Sequence, residues 1–506
     1  MKNFTKKIVV ISLCVSILSL SSIAQVTDFK MNDYKYRTKG IKAIGLNVGT
    51  NSAVVAGPAK SVAFGLSPTT AYTKQYSLDN KQLEFWNWSS LSVSKPAVKD
   101  QPISWMVGTR INWTQRLYKG NKYIQFGSNT SINANNAPAP IIPNPLDSSG
   151  KENENPKFYN VGLNPHVGVG QGRLEYISNA QMALFILEDL KEAGKIKGTV
   201  SKDATYKFTE LITQLYNTRI FDFRVRRNYE VAKIDSFLRS NKIISATDVK
   251  TYNIIADNWN YAIQPQAIES TYDGYTAMIG PSSQAVSDRI NQFGVFGQAQ
   301  RYAGTRTSII VDFPSSVSNS GFTQIGYGGE SNYFNMNDTS IDKVTYTVKG
   351  LNVTGTWQKH QALSLHLQQV LTGWVNFGSA GNNMKATYIN NKPDSVNKST
   401  NSTLGLGASF GYSLFPNSRT VVSTVSSLSV NRNTNKTGAV ETKTNVIALR
   451  GVVKGNYFLN YKSRISGTVE LGYNSQASSL VVNGLTTYAQ KGINFNFMLT
   501  YVNYLF

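Results

Sequence analysis

Ile103-Ser104-Trp105-Met106-Val107-Gly108-Thr109-Arg110-Ile111-Asn112-Trp113-Thr114-Gln115-Arg116-Leu117 decides the fold. Odd positions carry Ile103, Trp105, Val107, Ile111, Trp113 and Leu117, and even positions carry Ser104, Gly108, Arg110, Asn112, Thr114 and Arg116. Successive side chains of a strand point to opposite faces, so this segment makes a ribbon with one apolar and one charged side. Val161, Leu163, Pro165, Val167 and Val169 repeat the pattern opposite Asn160, Gly162, Asn164, His166 and Gly168. So do Leu404, Leu406, Ala408, Phe410, Tyr412 and Leu414, opposite glycines and small polar residues. Tyr457 to Tyr473 reads as one further strand, with Tyr457, Tyr461, Ile465, Val469 and Tyr473 against Asn460, Lys462, Arg464 and Glu470. In Lys343 to Trp357 the apolar phase flips between Val348 and Leu351, predicting a bulge near Gly350.

The chain opens with Lys2, Lys6 and Lys7, an apolar run from Ile8 to Leu20, and Ser21-Ser22-Ile23-Ala24. A basic start, a short apolar stretch and small residues describe a signal peptide over residues 1–24, cut after Ala24. The one cysteine, Cys14, would leave with it, so neither disulfides nor thiolate chemistry is expected of the mature chain. Losing those three lysines takes the formal charge from +22 to +19. That balance suggests anionic partners such as lipid phosphates or acidic solutes. Nucleic acid is not expected of an exported chain.

Beyond residue 24 no apolar run reaches the roughly 20 residues of a spanning helix, so a membrane would be crossed by strands. Connections alternate in length. Short turns are expected at 79–81, 118–122, 358–360, 416–418 and 454–456, and long ones at 51–59, 96–101, 134–156, 331–342, 377–401, 432–440 and 474–489. Short periplasmic turns and long outer loops characterise transmembrane barrels. The fold expected is an all-β transmembrane antiparallel barrel of about 16 strands, or 14 if 291–302 and 305–314 merge. The alternative is a soluble, secreted β-sandwich or adhesin.

From Ile177 to Ala262 the period changes. Phe208, Leu211, Ile212 and Leu215 share a helical stripe, as do Val231, Ile234, Phe237 and Leu238, then Val249, Tyr252, Ile255, Ala256 and Trp259. Ser201 or Asp203 would cap one helix, and Ser245 or Thr247 another. The expected layout is a first barrel part over 25–171, a periplasmic α-helical insert over 172–268, and a second barrel part over 269–506. Gly168-Val169-Gly170-Gln171-Gly172 would turn the chain into the insert, with Arg173 and Glu175 tying it to the rim.

Tyr504 and the terminal Phe506 share one face of the last segment, with Tyr501 at the position where a glycine is usual. This ending resembles the C-terminal signal of bacterial outer-membrane β-barrel proteins, a porin-like class. The resemblance covers most of the chain without identifying a subfamily. It implies residence in the outer membrane, contact with a lipid bilayer, and recognition by the barrel assembly machinery.

The polar face carries Arg110, Arg116, Arg450, Lys462, Arg464, Glu470, His166 and His366. Rings of cationic side chains in a pore favour anions, although such charges also serve simply to hydrate or cross-link a lumen. A second basic cluster, Arg219, Arg224, Arg226 and Arg227, falls on the insert. It would contact an acidic partner or cell-wall carboxylates, or pair with Asp222, Glu230 and Asp235. Enzymatic chemistry is not expected. The three histidines have no metal spacing, Ser331 lacks a nucleophile elbow, and His166 and His366 take the polar phase rather than a lipid-facing one. The Asn335–Asp342 cluster reads as a polar loop, and no cofactor or metal is expected. The leading expectation is passage of small solutes with a preference for anions. Its rival is a non-conducting envelope scaffold whose insert binds a periplasmic protein or the cell wall.

Overall fold

The computed structural model describes residues 26–55, 61–95, 103–136, 157–216, 223–262, 301–321, 341–388, 395–438, 440–460, 463–481 and 485–503. The expected signal peptide, Tyr504 and Phe506 lie outside them, as do Arg219, Lys462, Ser331, residues 335–340, and residues 291–300, on which the count of about 16 depends.

One large antiparallel sheet dominates. Its first half comprises β1 (Thr38–Val55), β2 (Ser61–Ser77), β3 (Lys81–Lys95), β4 (Ser104–Lys119), β5 (Lys122–Asn136), β6 (Lys157–Gly172) and the short β7 (Glu175–Tyr176). Then come β8 (Tyr302–Asp312), β9 (Ser315–Gly321), β10 (Ile341–Ala362), β11 (Leu367–Tyr388), β12 (Ser395–Asn417), β13 (Thr420–Thr437), β14 (Val440–Asn460), β15 (Ser463–Val481) and β16 (Leu485–Asn503). Neighbouring strands follow chain order from β1 to β16, with β8 bridging β6 and β10. Strand β9 continues β8. On β10, Asn352 pairs with Asp312 and Lys349 with Ser315, so Phe313 and Pro314 occupy the two positions between without a slip. Pro314 has no N–H for the ladder but still accepts from Gly350 N at 2.8 Å. The bulge predicted near Gly350 is therefore absent: the β10–β11 register runs unshifted through it, and the only irregularity falls at Ile341/Lys343.

The two faces of the sheet are inverted relative to a soluble protein. Val169 is 56% exposed and Leu406 54%, whereas Arg116 is 7% and Gln125 4% exposed. Paired residues share a face, so the register assigns each side chain to the apolar outer or the polar inner wall. On the outer wall of β10 to β16 the continuous apolar run ends at Leu351, Phe377, Leu404, Val430, Ile447, Tyr473 and Ile493 in turn. Followed through the hydrogen-bonded rows, this edge climbs steadily, and Leu351 lies in the row of Thr487, six residues beyond Ile493. A slanted edge is what strands tilted against a flat boundary require.

Inside, Trp374 lies over Gly407, where an added Cβ would sit 2.7 Å from the indole. The small residues opposite the apolar face thus make room for a large neighbour.

The connections differ from expectation in length and place. Strands β13 and β14 are separated by residues 438–439 and β15 and β16 by 482–484, so the long loops expected at 432–440 and 474–489 are hairpin arms. Ser, Thr, Asn and Gln are frequent on both faces of these arms, which blurs alternation while the backbone ladder continues. The turn expected at 454–456 lies at 461–462, and Tyr457–Tyr473 is two strands rather than one. Tyr457 pairs with Ile465, eight residues on. An even separation puts both on one face, so alternation passes through the hairpin unbroken. The turn expected at 358–360 likewise lies at 363–366.

Between β7 and β8 stand α1 (Ser178–Glu192), α2 (Lys202–Tyr216), α3 (Phe223–Ser240) and α4 (Val249–Ala262). Among the described residues no helix is long and apolar enough to cross a membrane. Their facing stripes form a separate core of Ile186, Leu190, Phe208, Ile212, Ile234, Leu238, Ile255 and Trp259, joined by Val26. Ser201 Oγ accepts from Ala204 N at 3.2 Å and caps α2. Asp248, not Ser245 or Thr247, caps α4: its carboxylate accepts Thr251 N at 2.8 Å, while the Thr247 hydroxyl turns to Asp235. Lys195 and Thr251 hold the Asp248 carboxyl well below the usual range. Val249 and Tyr252 stay exposed, because the cap sets Ile255, Ala256 and Trp259 inward.

Truncating Ile212 to Ala removes a fully buried side chain from the helical core. The expected cost is about 2–5 kcal/mol, read as earlier loss of the helical signal in thermal circular dichroism while the strand signal persists.

Candidate functional site: the polar inner wall and the clamped rim

Even positions of β3 and β4 and odd positions of β5 face inward together. Arg116 spans them: Nε donates to Gln125 Oε1 at 2.8 Å and a terminal nitrogen meets Glu84 Oε1 at 2.9 Å. Tyr118 donates to Gln82 Oε1 at 2.7 Å and Arg306 to Gln358 Oε1 at 2.9 Å. His166 is buried, with Nε2 3.5 Å from Thr114 Oγ1. Arg110 lies opposite Trp88 on the same face. Across the wall Arg450 grips Glu470 with both arms, at 2.5 and 2.7 Å. Arg464 stands in β15, its backbone paired with Phe458 and Val502.

The inner wall therefore brings Arg110, Arg116 and His166 together in one half and Arg450 with Glu470 in the other. Two of the expected cations are matched by carboxylates, Arg116 by Glu84 and Arg450 by Glu470. Glu84, Gln125 and Arg306 belong to the network and escaped the sequence reading. Glu84 was legible as an even position beside Trp86 and Trp88.

His366 is a correction. It sits in the 363–366 turn rather than on the wall, because β10 ends at Ala362 and β11 begins at Leu367. Its Nδ1 faces Phe415 O at 2.8 Å and its Nε2 lies 3.2 Å from Glu188 of α1. It is one of several groups that seat the helices on the short-turn rim.

The principal one is Arg301. Its side chain is fully buried, donates to Gln368 Oε1 at 2.9 Å, to Ser364 O at 2.9 Å, to Leu367 O at 3.1 Å and to Leu365 O, and lies 4.7 Å over the Phe415 ring. Its backbone meets the start of α1 through Ser178 Oγ at 2.7 Å and Ile177 N at 2.8 Å. A buried guanidinium with its donors satisfied is costly to disturb, since removing either side strands the other. Phe185 of α1 packs on Phe415 and Val421, and Asp257 of α4 pairs with Arg419 in the β12–β13 turn.

The N-terminal segment 26–37 completes the rim. Asn32 exchanges two hydrogen bonds with Ala362, at 2.8 and 3.0 Å. Arg37 bridges Asp79 at 2.5 Å and Glu175 at 3.0 Å. Arg173 reaches Leu78 O at 2.8 Å and Ser77 Oγ at 2.6 Å and stacks on Tyr118. Arg173 and Glu175 thus do fasten the point where the chain leaves the sheet. Gly172 (φ +87°) and Gly304 (φ +122°) allow that departure, since a Cβ at either would fall within 2.2 Å of a backbone oxygen.

Of the insert's basic cluster, Arg224, Arg226 and Arg227 lie in the first turn of α3. Of their expected acidic partners, Glu230 accepts Trp259 Nε1 at 2.8 Å, and Asp235 pairs with Arg239 at 2.9 Å.

No protein-family model matches the chain, and no curated protein does. Among solved structures it is similar to the β domain of the Bordetella autotransporter BrkA, with 7% identity over 92% of this chain and 98% of that one, at a TM-score of 0.24. It is also similar to a mutant of the TodX monoaromatic hydrocarbon channel, at 8% identity over 92% and 89% and a TM-score of 0.17. The Pseudomonas putida toluene transporter TodX follows at 9% identity over 89% and 87%, with a TM-score of 0.15.

The Glu188 carboxylate, and next the Phe415 carbonyl, raise the pKa of His366 above its ordinary 6.5 against the opposing effects of burial and Arg301. A raised value means the His366–Glu188 contact stabilises docking fully below about pH 6.5 and is lost as pH rises through the elevated folded value. Hydrogen-exchange protection of α1 should fall across that interval in the wild type and show no such step in His366→Gln.

Proposed function

We propose that the chain is an outer-membrane β-barrel whose polar interior passes small solutes, favouring anions, with the helical module seated at its periplasmic mouth. The observation that carries this reading is the inversion of the sheet, with apolar side chains outward and Arg116, Gln125 and His166 buried on the inner wall. Apolar positions on the outer face of β12 run from Leu404 to Leu414. Ten residues extend about 33 Å along a strand and, tilted about 40°, rise about 25 Å, the height of a barrel's lipid-facing band. A soluble sandwich would hide that face against a second sheet.

Hydrogen bonding supports closure. Among the described residues, no pairing joins β1 to β16. Two such long ribbon edges, bordered by apolar side chains, cannot stand open in lipid. Fourteen ribbons in the path place β1 and β16 antiparallel, so joining them ends both edges with ordinary ladder geometry. Thr38 of β1, Asn503 of β16 and the turns at 78–80, 120–121, 363–366, 418–419 and 461–462 share one end of the sheet. The opposite end carries the connections at 137–156 and 322–340, which supports a periplasmic position for the first.

Anion preference rests on the excess of guanidinium over carboxylate groups along this part of the inner wall, where Arg110, Arg116 and Arg306 share a face with Glu84. A second reading has its own support in the tightness of the rim: a module held by Arg301, Asp257–Arg419 and Glu188–His366 suits a non-conducting scaffold that presents helices to a periplasmic protein or the cell wall.

Purified protein should migrate faster unheated than boiled, as closed barrels do, and should open conducting channels in planar bilayers. In the double variant Arg110→Gln/Arg306→Gln the anion-to-cation permeability ratio should fall. Identical migration heated and unheated defeats the barrel. Heat-modifiable protein without conductance defeats passage and leaves the scaffold.

A further inference from the structure

Just beyond the slanted apolar edge the outer wall of β10 to β16 turns basic. Lys349 precedes Leu351 by two residues, Arg432 follows Val430 by two, Lys491 precedes Ile493 by two, and Lys443 precedes Ile447 by four, each on the long-loop side of its apolar run. Two to four residues are about 7–13 Å along a strand, which after tilt reaches the headgroup layer. Lys398 and Lys436 stand one step further out, six residues past Leu404 and Val430. The register assigns all six to the lipid-facing wall, since they share parity with the exposed apolar residues of their own strands. Glu441 shares this face and is held by Lys443 at 2.8 Å.

The belt is sparser elsewhere: on β3 to β6 the outer positions Ser89, Leu91, Val93, Ala134 and Tyr159 are uncharged, and Lys95 stands two residues past Val93. Charges that only kept the protein soluble would be mixed in sign and spread around the wall. Cations concentrated on β10 to β16 and following the same slope as the apolar edge match a planar layer of negative charge. Resting on the membrane-barrel reading above, we propose that this arc binds the phosphate groups of outer-leaflet lipids, holding a patch of phosphate-bearing lipid against β10 to β16. Arg432 supplies a planar fork suited to two phosphate oxygens, and the lysines supply point charges.

The test compares the full chain with Lys349→Gln/Arg432→Gln/Lys443→Gln/Lys491→Gln, both reconstituted from mixed phosphatidylglycerol and phosphatidylcholine and released for native mass spectrometry. The control is Lys359→Gln, on the outer wall near the short-turn end. Wild type and control should retain phosphatidylglycerol in preference to phosphatidylcholine, and the quadruple variant should lose roughly tenfold or more of that preference. The wild-type preference should also weaken with added salt. Should the quadruple variant fail to fold, Lys349→Gln/Lys491→Gln reads a partial loss. Heat-modifiable, inserted protein with no preference, or with equal preference in wild type and quadruple variant, overturns the lipid proposal alone. Failure of the wild type to insert overturns the barrel beneath it.

Discussion

The backbone ladder of the sheet is the constraint on which everything else depends. Each strand satisfies its N–H and C=O groups sideways, which frees both faces to carry whatever the surroundings demand. Here the outer face is apolar and the inner face polar, and the slanted edge between apolar and basic residues turns a list of strands into an object with a height and a tilt. The helices obey the opposite rule, with apolar stripes inward and charges outward. Two solvents are thus written into one chain.

The two regimes meet at the rim, where the structure spends its strongest polar interactions. Arg301 binds three carbonyls of the β10–β11 turn and a glutamine amide, and its own backbone receives the start of α1. Arg37 and Arg173 perform a similar task on the β2–β3 turn. Ser364 O and Leu365 O lie between β10 and β11, so the guanidinium reaching over them satisfies carbonyls outside the strand ladder.

Much of the fold was legible in the sequence, and its failures have specific causes. Strands β1 to β6 were readable to within a few residues because apolar residues recur on one face of them. The Tyr457–Tyr473 segment misled because an even-numbered hairpin preserves alternation. The distal arms were hidden because Ser, Thr and Asn occupy both faces there, leaving only main-chain pairing to mark them. The helices announced themselves by their stripes. On the inner wall Arg110, Arg116, Arg450 and Glu470 were readable from parity, whereas the Arg116–Glu84 and Arg450–Glu470 pairs needed cross-strand register. His366 was misplaced by a turn displaced a few residues. Arg301 gave no sequence signal, since its role is fixed by carbonyls sixty residues away.

That distance has a consequence for biogenesis. The helical module contains its own core and emerges before the hairpins at 363–366 and 418–419 that hold it. Its seat is incomplete until the later half of the wall has been laid down. A chain halted before Phe415 would carry finished helices without the Phe185–Phe415 and Asp257–Arg419 contacts.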